Sequence, residues 1–343
     1  MNWKTVLTLL ELYSSWEAWR ETFFQKLITY HLPPTSSLLV SKDLSSLTVI
    51  VTGSTNGLGF HVAKELAMAG AHVVMACRNV ILAEQIASSW REEICNNEKH
   101  VNIDVMELDL SSFASVRKFA DEWDKLDVAL DLLINNAGIL QVEDVQKFTG
   151  DGIEQHIQVN HAAPALLTIL MLPSLLKAPS SRIINVNSVG HLVGVVEPQY
   201  WNSRAKEENY VSMRAYGSSK LAQIMFLKVL ANKLLDLNKT SIQCIAVHPG
   251  TVCSNLNSLL RKKHYFMFDA DQGARSALYC ATSDTVADNL VKGFAYYSVS
   301  CKPGKISSKS EDMDACLDVW QKTLELLDIG NDCLSPIFDN VLI

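Results

Sequence analysis

The apolar positions of the first thirty residues follow a different rule from those of the rest of the chain. Leu9, Leu12, Trp16, Trp19, Phe23, Leu27 and Tyr30 recur at spacings of three and four, which predicts an amphipathic helix. Ser14, Glu17, Glu21 and Gln25 fall on its other side, and Pro33-Pro34 ends it. Charges at Lys4, Glu11, Glu17, Arg20, Glu21 and Lys26 interrupt any run approaching the roughly 18 apolar residues of a spanning helix. The acidic residues also break the apolar centre that a cleavable signal needs. Two placements fit the stripe equally, a helix lying on a membrane surface and a helix packed on the protein's own core.

From residue 47 onward, short β-branched runs alternate with helical patterns. Strands are predicted at 47–53, 72–77, 101–110, 130–138, 182–188, 241–249 and 292–298. Helices are predicted at 57–70, after 110 to about 126, and at 154–176, 213–237, 272–282 and about 315–327. This alternation implies an α/β fold, a doubly wound parallel sheet of Rossmann type in a single domain. The chain divides into an N-terminal amphipathic helix and linker (1–46), the sheet domain (47–300), and a C-terminal helix and tail (301–343). Residues 155–176 lack a formal charge, yet Gln155, His156, Gln158, Asn160 and His161 crowd their first third. Those polar groups are costly in lipid, so the stretch reads as a buried helix.

Composition narrows the function. Of 343 residues, 48% are hydrophobic, enough for a substantial core, and the formal charge of −7 with no long basic run argues against a nucleic-acid partner. Eight cysteines stand far apart, at 77, 95, 244, 253, 280, 301, 316 and 333, without a C-x-x-C pair or metal-ligand spacing. They read as reduced thiols in a reducing compartment.

Candidate chemistry lies at the strand ends. Gly53, Ser54, Thr55, Asn56, Gly57, Leu58 and Gly59 join the first strand to its helix. There glycines permit a tight turn, and helix N-terminal amides can hold a pyrophosphate. The second strand ends at Arg78, where an NAD site would carry an acidic residue for the ribose hydroxyl. A cation there favours NADP(H) over NAD(H). Asp109 follows the third strand, as an adenine acceptor or as an ordinary turn residue before a helix. Tyr216 and Lys220 share a helix face, so the ammonium favours phenolate and draws the phenol toward an acid/base role. Ser188 ends a strand, with a hydroxyl able to polarise a carbonyl.

Together these residues resemble the short-chain dehydrogenase/reductase superfamily. The resemblance spans about 47–300 and rests on T-G-x-x-x-G-x-G at 52–59, Asp109-Leu110, N-N-A-G at 135–138, Asn160, Ser188, Y-x-x-x-K at 216–220 and Pro249-Gly250. VVMACRN (73–79), IQVNHAAPALLT (157–168), RIINVNSVGH (182–191) and AVHPGTV (246–252) are similar to the retinol-dehydrogenase-like branch, which includes WW-domain oxidoreductase and X-linked dehydrogenase/reductase relatives. The resemblance implies a catalytic tetrad of Asn160, Ser188, Tyr216 and Lys220. Tyr216 would exchange the substrate proton, Ser188 hold the oxygen, Lys220 hold the nicotinamide ribose and lower the phenol, and Asn160 position a water. Asn136 and Gly138 would line the cofactor cleft, and Pro249, Gly250 and Val252 would border the nicotinamide. The chain departs from the pattern at Asn187, at His161-Ala162-Ala163-Pro164 and at Ser254; Pro164, inside a helix, bears on the geometry around Asn160.

Two stretches bear on substrate. His191–Met213, with Tyr200, Trp201 and Tyr210, has the length of a lid or an apolar wall. Asn255–Asp269, with Leu259, Leu260, Tyr265, Phe266, Met267 and Phe268, suits a hydrophobic alcohol or carbonyl, and Arg261-Lys262-Lys263 reads as a headgroup contact or a solvated turn. The resemblance implies a retinoid, sterol, isoprenoid or fatty aldehyde. The leading expectation is an NADP(H)-dependent oxidoreductase in peripheral membrane contact through residues 1–32, on the cytoplasmic face of an internal membrane. A dinucleotide-binding scaffold with little turnover is the competing class.

Overall fold

A computed structural model describes residues 7–8, 10–11, 16–95, 101–141, 143–205, 210–238, 241–253, 265–330 and 335. The alternating pattern produces β1 (Thr48–Thr52), α3 (Gly57–Met68), β2 (His72–Cys77), α4 (Val80–Cys95), β3 (Asn102–Glu107), α5 (Phe113–Asp124) and β4 (Leu132–Asn135). After them come α6 (Gln155–Ile157), a π-helical turn (Gln158–Ala162), α7 (Ala163–Lys177), β5 (Ser181–Val186), α8 (Ser212–Asp236), β6 (Ile242–Val247), α9 (Ala270–Thr282), β7 (Phe294–Tyr297) and α10 (Met313–Leu326). Before β1 lie α1 (Trp16–Phe23) and α2 (Gln25–Ile28).

The described strands form one sheet in the order β3-β2-β1-β4-β5-β6-β7, every pair parallel. Successive strand residues enter opposite cores, which is why the central strands are mostly apolar, whereas β3 at the sheet edge, NIDVME, is not. Ile50, Leu133, Ile183 and Ala246 face α5, α7, α8 and α10, while Val51, Ile134, Ile184 and Val247 face α3, α4 and α9. Strand order reverses between β1 and β4, so the crevice at the C-terminal strand ends opens there.

The charge-free stretch is a core helix, long and apolar enough to cross a membrane but mostly buried inside the fold. Its polar first third finds partners within the protein. His161 bonds Thr323 of α10 at 2.8 Å, and burial pushes its imidazole down to about 3, so it stays neutral. Of the cysteines, 77, 244, 280, 301 and 316 are free and buried and 253 is half-buried; the side chain of Cys95, and Cys333, lie outside the described residues.

The N-terminal helix departs from the sequence expectation. It packs on the sheet domain, but through the side expected to be polar. Ala18, Glu21, Thr22 and Gln25 are buried, whereas Trp16, Leu27 and Tyr30 are 64%, 63% and 80% exposed, and Trp19 and Phe23 are also exposed. Leu9, Leu12 and Ser14 lie outside the described residues. The physical reason is hydrogen bonding. Buried polar groups are tolerable when partnered, and Gln25 meets the backbone of Thr251 and Phe266 while Ala18 packs on Val189 and Val193. After Pro33-Pro34 the linker is fastened as well, the Thr35 hydroxyl donating to Asp271 O at 2.7 Å and Lys42 to Thr282 O. Deleting residues 1–32 is therefore expected to lower the melting temperature by several degrees, as loss of a buried hydrogen-bonded element does. An unchanged melting curve would contradict the docking.

Candidate active site

The loop after β1 is shaped by what its glycines leave out. Gly53 and Gly57 take φ of +67° and +58°, a region that disfavours other residues. A methyl group added at Gly59 would fall 2.3 Å from Asn136 Nδ2 and 2.5 Å from Gly53 O, so nothing larger than hydrogen fits. The Asn136 amide uses that space to donate to Thr52 O at 2.8 Å and Gly53 O at 3.3 Å. Asn136 thus braces the loop, a more specific placement than lining the cleft. Asn56 caps α3, its side chain accepting from Gly57 N. Thr55 and Leu58 are half-buried, and the fully buried Ser54 hydroxyl has no hydrogen-bond partner. Arg78 is exposed at the end of β2 and, among the described residues, has no hydrogen bond or ion pair. Asp109 is held locally, its carboxylate accepting from Ser111 N and Oγ at 2.9 and 2.7 Å, ahead of the true cap of α5, Ser112. Leu110 is buried beside it.

The second half of the site is the join between β5 and α8. Lys220 Nζ donates to Val186 O at 2.8 Å, Asn187 Nδ2 donates to Lys220 O at 2.9 Å, and Ser188 N donates to Asn187 Oδ1 at 2.8 Å. Asn187, noted in the sequence only as a departure, is the strut between Ser188 and the helix that carries Tyr216. The approach is tight because of Gly217, where a methyl would fall 2.5 Å from Gly190 O. Tyr216 is buried and hydrogen-bonded to Ser188. Burial raises its phenol above 10 and the Ser188 bond lowers it, with a net upward direction. That is opposite to the lowering expected from Lys220. Burial also pushes Lys220 itself down to about 7, weakening it as a cation at neutral pH.

Asn160 lies in the π-helical turn. Its Oδ1 accepts from Ile139 N at 2.7 Å, and its Nδ2 donates to Ile139 O at 2.9 Å and Ser219 Oγ at 3.0 Å. A methyl at Gly138 would fall 3.1 Å from Asn160 Oδ1 and 3.6 Å from Lys220 Nζ, so Gly138 marks where the two converge. Pro164 is four residues after Asn160 and has no N–H, so the Asn160 carbonyl lacks its α-helical donor. The π turn absorbs the proline without unfolding the helix.

Behind Tyr216 stands a buried polar wall. Glu154 bonds His156 at 2.8 Å and accepts from Tyr210 at 2.9 Å, and the His156 ring lies 6.4 Å from that of Tyr216. Burial raises the Glu154 carboxyl, but its hydrogen bonds to His156 and to backbone outweigh that and hold it low. Trp201 and Tyr210 are buried, so this part of His191–Met213 is wall and not lid; Tyr200 is exposed. Pro249, Gly250 and Val252 follow β6 on the far side, with Gly250 at φ +89° and Val252 buried. Met267 and Phe268 are buried and Tyr265 is exposed, while Ser254, Leu259, Leu260 and Arg261-Lys262-Lys263 lie outside the described residues. The structure thus brings Asn160 and Lys220 together at Gly138, and Tyr216 and Ser188 together at Gly190.

The short chain dehydrogenase family pattern matches residues 47–264. The chain is 39% identical over 334 residues to the Arabidopsis thaliana dehydrogenase/reductase SDR family member FEY, covering 93% of this chain and 88% of that one. It is 35% identical over 294 residues to human retinol dehydrogenase 12, covering 84% and 88%. Among solved structures, an uncharacterized Mycobacterium paratuberculosis protein matches with a TM-score of 0.69 at 30% identity, covering 87% of this chain and 98% of that one. A Shigella flexneri short chain dehydrogenase complexed with NADP matches in fold, with a TM-score of 0.60 at 21% identity over 76% of this chain and 99% of that one. The chain, with its seven-stranded parallel sheet and retinol dehydrogenase relatives, belongs to the short-chain dehydrogenase/reductase family of oxidoreductases.

Proposed function

We propose that this protein interconverts a hydrophobic alcohol and its aldehyde or ketone with NADP(H), at a site made by Tyr216, Ser188, Lys220 and Asn160. The observation that carries the reading is the convergence of the buried Tyr216 ring and the Ser188 hydroxyl on Gly190, where a methyl would fall 3.1 Å from Tyr216 Cε1 and 3.5 Å from Ser188 Oγ, beside buried Lys220 at the C-terminal end of a Rossmann sheet. The residues suit the cofactor. The glycine loop is a cradle that a Cβ would fill, and the buried Ser54 hydroxyl lacks a partner inside the protein. Arg78, unpaired among the described residues, has the charge to meet a 2′-phosphate. When bound, the nicotinamide supplies or takes the hydride.

The chain's own part is the proton. Tyr216 gives a proton to the substrate oxygen during reduction, and its raised pKa keeps it protonated and able to donate at neutral pH. Ser188 Oγ holds the same oxygen. Lys220, near half-protonated at neutral pH, faces the ribose and passes a proton onward. The Asn160 carbonyl, deprived of its helical donor by Pro164, is the acceptor for the relay water, while the Asn160 amide is occupied in tying 139 to α8. A retinoid, sterol, isoprenoid or fatty aldehyde fits the apolar residues 265–268 and the retinol dehydrogenase relatives. The exposed stripe Trp16, Trp19, Phe23, Leu27 and Tyr30 is the membrane contact, which places the enzyme where such a substrate dissolves.

Tyr216→Phe is expected to lower kcat by roughly 10²–10⁴-fold with NADPH affinity retained; a variant keeping a tenth of the rate would place the acid elsewhere. Arg78→Asp should weaken NADPH binding far more than NADH binding, and equal losses in parallel titrations would remove Arg78 from phosphate recognition. Trp16→Glu with Leu27→Glu should abolish co-sedimentation with anionic vesicles at an unchanged melting temperature. Undiminished sedimentation would rule out the stripe as the contact.

A further inference from the structure

Gln25 is the least expected buried side chain in the molecule. It sits in α2, a helix of four residues, on the face that the hydrophobic pattern assigns to solvent, yet it is fully buried. Its amide uses both ends. Oε1 accepts from Thr251 N at 2.8 Å, and Nε2 donates to Thr251 O at 2.9 Å and to Phe266 O at 2.8 Å. Thr251 and Phe266 flank residues 254–264, the insertion between β6 and α9. One amide therefore fastens both roots of that insertion. Backbone pairing reinforces the same base, with Phe268 N donating to Thr251 O at 3.0 Å and Cys253 N to Phe268 O at 2.8 Å.

The neighbouring glycine is cut to fit this amide. Gly250 has φ +89°, and a methyl there would fall 2.5 Å from Gln25 Oε1 and 2.9 Å from the Phe268 ring. The left-handed backbone and the missing side chain thus serve the approach of Gln25 as well as the turn. An amide with three partners holds its loop in one position; a buried apolar contact of the same size would allow it to slide.

We propose that Gln25 is a positioning residue for the reaction, setting the 249–252 backbone against the nicotinamide by tying Thr251 to Phe266. The proposal rests on the NADP(H) oxidoreductase reading above. It makes the N-terminal segment a working part of the active site, because the residue that sets the loop follows directly on the helix that bears Trp16, Trp19 and Phe23.

The test is NADPH titration by fluorescence, steady-state kinetics on a small soluble aldehyde, and melting curves for the full-length wild type, Gln25→Met and Gln25→Glu. Gln25→Met keeps the length and removes every bond. It is expected to raise the NADPH Kd and lower kcat/KM by about tenfold each, the effect of misplacing a loop whose buried polar groups lose their partner. Gln25→Glu keeps the length and an acceptor for Thr251 N but turns the donor into an oxygen facing Thr251 O and Phe266 O, so it should also raise the NADPH Kd and lower kcat/KM, readouts that a purely structural staple does not move. A lower melting temperature with NADPH affinity and kcat/KM unchanged would overturn the proposal, leaving Gln25 as a fastener of the helix alone. A Gln25→Glu variant with wild-type NADPH Kd and kcat/KM would also overturn it, and decides the matter if Gln25→Met fails to fold. Failure of the wild type to bind NADPH would instead sink the oxidoreductase reading, so the two failures are distinguishable.

Discussion

The site depends on one join, two hydrogen bonds that stitch the end of β5 to the middle of α8 and a third that ties Ser188 to the same strut. Val186 O takes the Lys220 ammonium, Asn187 takes the Lys220 carbonyl, and Asn187 in turn holds the Ser188 amide. Two backbones can come this close only because Gly217 lets the 190–194 turn rest on the helix. A glycine inside a helix costs about 1 kcal/mol relative to alanine, and here it sets Ser188 against Tyr216. Remove the join and the hydroxyl, the phenol and the ammonium cease to share a site.

Burial then sets the chemistry. It pushes the Tyr216 phenol up and the Lys220 ammonium down, separating two proton affinities that nearly coincide in water. Both groups are thereby driven toward their neutral forms, the phenol holding its proton and the amine giving its own up more readily. Pro164, four residues after Asn160, lacks the N–H that an α-helix would offer to that carbonyl, and the π turn keeps the helix intact around it.

Much of this was legible in the sequence, and the parts that were not share a cause. Strand and helix positions were plain because both sheet faces are covered, so TVIVT and IQCIAV are dominated by apolar and β-branched residues. Glycine spacing at 53–59 and the Tyr216–Lys220 separation are local, and local geometry survives in the chain. Asn187 and Gly217 carried no signal, since the partner that gives each its role lies tens of residues away. For the N-terminal helix the apolar stripe left two placements open, and the choice turns on distant partners: Glu21, Thr22 and Gln25 are buried, and the backbone that accepts Gln25 is over two hundred residues away. Leaving Trp16, Leu27 and Tyr30 in solvent is unfavourable unless something apolar meets them, which is the basis of the proposed lipid contact.

The most direct test of the account is the reaction itself. Purified full-length protein, NADPH and a long-chain aldehyde in vesicles should yield one alcohol for each NADPH oxidised, with no product when NADPH is withheld. Tight NADPH binding with no alcohol formed from any aldehyde of the retinoid, isoprenoid or fatty classes would contradict it, and would leave a cofactor-binding protein whose Tyr216 transfers no proton to such a carbonyl.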